Sequence, residues 1–312
     1  MSRDVTLRLL WRFQAQFAGY LVAEHEGLAK RRGIDLRCQP IDFAEGGMKA
    51  LLRGACDLAI ASPAHLVESE APTRLAFAMA VQQASPLVYP VRKSSGIRLP
   101  KDLEGRTAAI WPSGEDLELR WMLLKAGADP EKVKRLPTGD TVGAFVSGAA
   151  DCAQMTIYHE LHEMEAHGLP LDEVTLFRPA DWGAELLKDG VIIRRDWMGS
   201  EDALLQDLIE IFLEGWQIAF TDPERAVAIC SRVRPDMSAD EHRRQLQHMK
   251  ELATRGPALA EGFAVPHRDH MRRALDAVMD VEGHGEGLNP DELAVRRYWQ
   301  AAPAELKAMP WA

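Results

Sequence analysis

The chain has 312 residues, 46% hydrophobic and 27% charged, an ordinary globular composition and long enough for two cores. Its net charge of −10 removes the basic footprint that a nucleic-acid partner requires, and no run of about 18 apolar residues offers a membrane-spanning helix. No Cys-x-x-Cys pair, His-Glu-x-x-His run, Walker loop or Gly-x-Ser-x-Gly elbow is present, so neither a metal, a nucleotide cofactor nor an acyl-enzyme is signalled.

In chain order, Val5–Trp11 reads as a strand ending in Trp, followed by Gln14, Gln16 and Phe17 at the start of a helical stretch. The opening MSRDVTLRLLW lacks the basic start, apolar run and small-residue cleavage site of an export signal. The expectation is a cytoplasmic protein if Met1 is the native start, and a periplasmic or otherwise extracytoplasmic one if a leader has been removed. The helical stretch ends at Lys30 and Gly33, a cation and a glycine that suit a helix C-terminus. Leu51–Leu66 reads LLRGACDLAIASPAHL, a turn and a strand that deliver Ser62. Pro86–Arg92 is an extended run, and Thr107–Trp111 is a second strand ending in Trp, followed by Ser113 and Gly114. Another helical stretch then ends at Lys125 and Gly127. Phe145–Leu161, FVSGAADCAQMTIYHEL, repeats the earlier turn and strand.

An offset of 94 superposes Gly54 on Gly148, Asp57 on Asp151 and His65 on His159, and carries Gly33 onto Gly127. At the Trp-ended strands the register slips by six. Each half therefore reads strand, helix, strand, helix, Gly-x-x-Asp turn, strand, which argues for α/β units. The expected fold is two-lobed α/β, each lobe a mixed sheet flanked by helices. Lobe 1 is expected at 1–92 plus 194–312 and lobe 2 at 93–193, joined by two crossover strands, Pro86–Arg92 and Gly190–Arg194. The last third reads as helices: Asp202–Phe220 with an apolar stripe, one starting at Asp222-Pro223, and further ones over His267–Met279 and Pro290–Trp299.

Ligands of open α/β sheets lie beyond the carboxyl ends of the strands. Between two lobes those ends present Trp11, Gln14, Gln16, Phe17, Ser62, Trp111, Ser113, Gly114, Met155, Thr156, Tyr158, His159, Glu160 and Trp182. Aromatic faces stack on planar rings, and amides, hydroxyls and carboxylates read ring nitrogens and amines.

The stretch from Trp11 through Gln14, Gln16 and Phe17 to Tyr20, continuing to Gly27, resembles the opening of type II periplasmic binding proteins, and in particular the branch that binds thiamine pyrimidine precursors. Pro100–Arg106, Gly148–Glu160 and Ala180–Gly183 resemble further segments of that family. The resemblance covers roughly residues 5–230. It implies a bilobal protein that captures a planar heteroaromatic and hands it to an ABC permease. It also implies that Trp11 stacks on the ring while Tyr158 and Glu160 hold it. His159 stands where the family has Asn, and Ile157 is an extra residue. A relative in the same branch takes flavin.

The alternative is a lyase, synthase, decarboxylase or desulfinase on the same fold, with His65 or His159 as acid–base. The iron-binding Cys-rich run of the fungal-type synthases is absent, and the loop Trp11–Tyr20 holds no Cys. Cys56 and Cys152 lie in apolar runs that suit small buried hydrophobes. His159 and His162 are three apart, not the four of a zinc helix, so no metal site is expected.

Overall fold

The structure is a computed structural model that describes residues 2–112 and 115–312. Its strands are β1 (Arg3–Arg8), β2 (Ile34–Gln39), β3 (Leu58–Ala61), β4 (Leu75–Met79), β5 (Leu87–Arg92), β6 (Thr107–Ile110), β7 (Lys134–Pro137), β8 (Cys152–Ala153), β9 (Met155–Thr156), β10 (Val174–Phe177) and β11 (Gly190–Arg194). They form two mixed sheets with the same plan. One has the order β2-β1-β3-β11-β4, the other β7-β6-β8-β5-β10, with β9 pairing the start of β5. In each, three parallel strands are followed by an antiparallel one: β11 runs against β3 and β4, and β5 against β8 and β10.

The repeated Gly-Ala-x-Asp has the same local role in both sheets. Gly54 and Gly148 take φ of 74° and 81°, a left-handed turn that stops the preceding helix without a Cβ penalty. A backbone N–H just after the glycine closes back on that helix, from the first residue in one copy, Ala55 N to Ala50 O at 2.8 Å, and from the second in the other, Ala150 N to Ala144 O at 3.0 Å. The aspartate then pins the strand's neighbour. Asp57 Oδ2 accepts from Thr6 N at 2.8 Å, and Asp151 Oδ2 from Thr107 N at 2.9 Å. Each aspartate's own N–H returns to the carbonyl of the same threonine. Thr6 and Thr107 stand 101 apart and the aspartates 94 apart, so the slip is seven and not the expected six. The reason is that β1 ends at Arg8, leaving Trp11 in the loop beyond it, whereas Trp111 directly follows β6.

The chain divides into two compact units, Met1–Ala84 with Leu187–Leu275 and Gly285–Ala312, and Ser85–Leu186 with Asp276–His284. The divisions fall at 85 and 187 where the sequence suggested 93 and 194. The displacement has a backbone cause: all of β5 is hydrogen-bonded in the second sheet and all of β11 in the first. Asp276–His284, expected with lobe 1, belongs to the second unit, because Asp280 accepts from Trp121 Nε1 at 2.9 Å and from Lys125 Nζ at 3.0 Å. The expected helix Pro290–Trp299 is two, Pro290–Leu293 and Arg297–Ala301. Between them Val295 N bonds Phe77 O at 2.8 Å, so the chain spends a residue pair extending the β4 edge.

The first unit's core is set by close approach of the helices Ala18–His25 and Asp202–Thr221. A Cβ on Gly19 would lie 2.2 Å from the Trp216 ring, and one on Gly215 2.2 Å from Gly19 O. Tyr20 is buried edge-on between Phe212 and Trp216, at ring distances of 5.1 and 5.5 Å. The second unit's core gathers Val88, Ala109, Phe145, Ala153, Met155 and Met164.

Candidate functional site

In the first unit Ala61 pairs Gly190 and Met79 pairs Val191. The ends of β3 and β4 and the start of β11 therefore share the edge at which β1 also ends. Off this edge come Gln14 and Gln16 after β1, Ser62 after β3, Gln82 and Gln83 after β4, and Asp189 before β11.

These side chains form one buried polar network. Arg234 Nη1 donates to Phe13 O and Gln14 Oε1, both at 3.3 Å. Gln14 Nε2 donates to Gln16 Oε1 at 2.5 Å, and Gln16 Nε2 to both oxygens of Asp189 at 3.1 and 2.9 Å. Gln82 Nε2 reaches Asp189 Oδ2 at 2.8 Å. Gln245, from the helix Ala239–Ala253, accepts from Ala15 N at 3.1 Å and holds the loop from behind. Gln14, Gln16, Gln82, Asp189 and Gln245 are all at least 95% buried. Tyr20 lies within reach of this charge: burial first, then Asp189, push its phenol well above the usual range. Gln83 is turned elsewhere, donating to Ala80 O and Val265 O and meeting His270 Nε2 at 3.2 Å.

The other residues nominated in this unit have different roles. Phe17 is fully buried and belongs to the core. The Ser62 hydroxyl accepts from Ala64 N at 2.9 Å and caps the helix Pro63–Val67. Trp11 is half-buried with its ring edge-on to the exposed Phe43 at 5.2 Å.

In the second unit β6 and β8 end at one edge, where β5 begins. Gln154, fully buried between β8 and β9, accepts from Trp111 N at 3.1 Å and donates to Glu115 O at 2.7 Å. Glu160 was expected to hold a ring amine. Its Oε2 takes both the N–H of Thr156 at 2.9 Å and the hydroxyl at 2.5 Å, tying β9 to the helix Glu160–Ala166 and leaving Oε1 to one side of that contact. Met155 is core. Tyr158 is buried, and His159 and Trp182 are half-buried. Trp182 ends the turn Pro179–Trp182, which Gly183 closes at a φ of 68°. Ser113 and Gly114 lie outside the described residues.

Sequence reasoning passed over Glu118, in the first turn of the helix Leu117–Lys125. It is fully buried, accepting from Leu186 N at 2.8 Å and Ser85 Oγ at 3.0 Å. One carboxylate thus holds both ends of the segment Ser85–Leu186. It also passed over Gln82 and Asp189. The available signal was position: a Gln pair three and four residues after one strand and an Asp directly before another.

The thiols Cys38, Cys56, Cys152 and Cys230 are free and buried. Burial raises all four, Cys56 and Cys230 to about 12, so none is a ready thiolate. Among the described residues no group of three or more His, Cys, Asp or Glu is disposed to hold a metal ion.

Solved structures with this fold include a periplasmic aliphatic sulphonate-binding protein from Escherichia coli, 16% identical, TM-score 0.71, covering 95% of this chain and 93% of that one. A periplasmic nitrate-binding protein from Synechocystis PCC 6803 is 12% identical, TM-score 0.72, covering 98% and 91%. The ligand-binding component of an ABC-type import system from Staphylococcus aureus is 11% identical, TM-score 0.70, covering 97% and 99%. The fold is therefore that of the two-lobed type II periplasmic binding proteins. No match to the sequence was found among curated proteins. The NMT1/THI5-like family matches residues 14–226, more than half the chain, and the protein belongs to the NMT1/THI5-like family.

Proposed function

We propose that the chain is the substrate-binding component of an ABC-type importer. It captures a small planar heteroaromatic, related to thiamine pyrimidine precursors, at the carboxyl ends of its strands. The observation that carries this reading is the buried network of Gln14, Gln16, Gln82 and Asp189 at that edge of the first sheet. It is built of amides and a carboxylate, groups that read uncharged donors and acceptors.

The named ligands of two structural neighbours, sulphonate and nitrate, are anions. An anion is held by cationic or N–H donors pointing at it. Here the Arg234 guanidinium is engaged with Gln14 and Phe13, and the chain of amides leads to the Asp189 carboxylate. The composition of this edge favours a neutral or cationic ring over an anion. Buried thiols with raised pKa support capture over thiolate-dependent turnover.

As an importer component the protein works outside the cytoplasm, with an ABC permease as partner. Isothermal titration calorimetry against an aminopyrimidine, a flavin, an alkanesulfonate and nitrate tests the reading. Saturable binding of a heteroaromatic is expected, and binding of the anions alone contradicts it.

A further inference from the structure

His242, on the helix Ala239–Ala253, is fully buried, and neither of its ring nitrogens has a hydrogen-bond partner among the described residues. A neutral imidazole carries one donor and one acceptor, and buried polar groups of either kind are rarely left unpaired. Burial lowers the pKa of the ring below its ordinary value, and the Arg234 backbone opposes that. Of the charges it faces, the Arg234 guanidinium lowers it further. Glu241, beside it on the same helix, and Asp236, in the turn before that helix, raise it. Burial is the largest of these effects, so the fold holds this histidine neutral.

The residues around it grip the loop that leaves β1. Arg234, directly after the helix Pro223–Val233, donates from Nη1 to Phe13 O and Gln14 Oε1, both at 3.3 Å. Its Nε stands 3.5 Å from Asp236 Oδ2. Gln245, one turn along from His242 and so on the same helix face, accepts from Ala15 N at 3.1 Å. His242 thus faces one holder of the loop Phe13–Ala15 and shares a helix face with the other. A proton on the ring gives it two N–H donors where neither is matched, and sets a positive charge near the Arg234 guanidinium. Asp236 is then a carboxylate for which both cations compete.

We propose that His242 is a proton-operated release for the loop Phe13–Ala15, which carries Gln14 at the strand-end edge of the first sheet. Neutral, the ring leaves Arg234 and Gln245 in place. Protonated, it repels the Arg234 guanidinium, competes for Asp236 and frees the loop. The sign follows from linkage. A histidine held neutral while the loop is gripped takes up its proton more readily once the loop is free, so acid favours release. The grip is complete above about pH 6.5 and weakens as pH falls. The device acts on the loop itself, whatever ligand the edge receives.

Amide hydrogen exchange followed by NMR on the full chain, without ligand, tests this. Protection of the Ala15 amide, corrected for the intrinsic rate, is expected to fall at least about tenfold from about pH 8 to about pH 5. Its midpoint should match the titration of the His242 ring. The Ile192 amide, inside the same sheet on β11, should keep its protection. His242→Leu removes two unpaired buried nitrogens and keeps the site apolar, a change that is neutral or stabilising. Its Ala15 protection should not depend on pH. His270→Gln, which removes the other buried histidine of this unit, should respond as the wild type does. Constant Ala15 protection in the wild type overturns the proposal, as does an equal loss at Ile192. So does the wild-type fall persisting in His242→Leu, or vanishing in His270→Gln. The ring and amide midpoints are both read in the unaltered protein, so a mismatch overturns the proposal whether or not a variant folds.

Discussion

Single side chains in this protein do structural work at positions that invite a ligand reading. Glu160 accepts twice from Thr156 and is 9% exposed, so its loss strands a buried N–H and a buried hydroxyl. Glu160→Ala is expected to cost about 1–3 kcal/mol in a denaturant melt, with Thr156→Ser nearly neutral. A Glu160→Ala protein of unchanged stability would show that the pair is not formed. His270 is buried, and burial first, then the nearby His267, lower its pKa from 6.5 to about 4. A histidine held neutral in the fold contributes stability that is complete above about pH 6.5 and is lost as pH falls toward 4, because the unfolded chain binds the proton first. Thermal melts should therefore decline across that window in the wild type. They should decline less in His270→Gln, whose amide can still donate to Gln83 Oε1.

At the scale of elements, helix contact and the repeated turn decide whether the strand ends are in place. Gly19 and Gly215 let two helices touch backbone to ring. Gly19→Ala drives a methyl into the Trp216 ring and is expected to cost about 2–3 kcal/mol, against a small change for Gly139→Ala, where nothing lies within 4 Å. Equal melting temperatures for the two would contradict the close packing. Asp57→Asn and Asp151→Asn should each lose about 1–2 kcal/mol by equilibrium unfolding, since each carboxylate accepts from a backbone N–H of the first parallel strand of its sheet. A large loss in one and none in the other would break the equivalence of the two turns.

Much of the architecture was legible because it is written in local chemistry. The two Gly-Ala-x-Asp turns, the Lys-then-Gly helix ends and the strand–helix alternation each have a short-range cause, and together they yield two like sheets. β4, by contrast, is buried along its whole length and reads LAFAM, with no alternation to mark it. Gln82 and Gln83, which follow it, went unread with it. Phe17 and Met155 looked like ligand contacts because they follow strand ends, yet both point into cores. Position after a strand says which edge a residue is near and not which way its side chain turns. Asp189 sits between Lys188 and Gly190 with no motif around it; only the register of β11 places it beside Gln16 and Gln82.

Across the whole molecule, the chain leaves the first unit after Ala84 and returns at Leu187, and Glu118 holds the flanking Ser85 and Leu186 together. On the proposed reading the protein holds a small molecule and does not convert it, and the double α/β plan and the family support the capture. The most direct measurement is native mass spectrometry of the protein incubated with 4-amino-2-methylpyrimidine, followed by denaturation and analysis of what is released. Capture predicts one ligand per chain, recovered chemically unchanged after prolonged incubation. A released product of altered mass, formed in excess over protein, would contradict it.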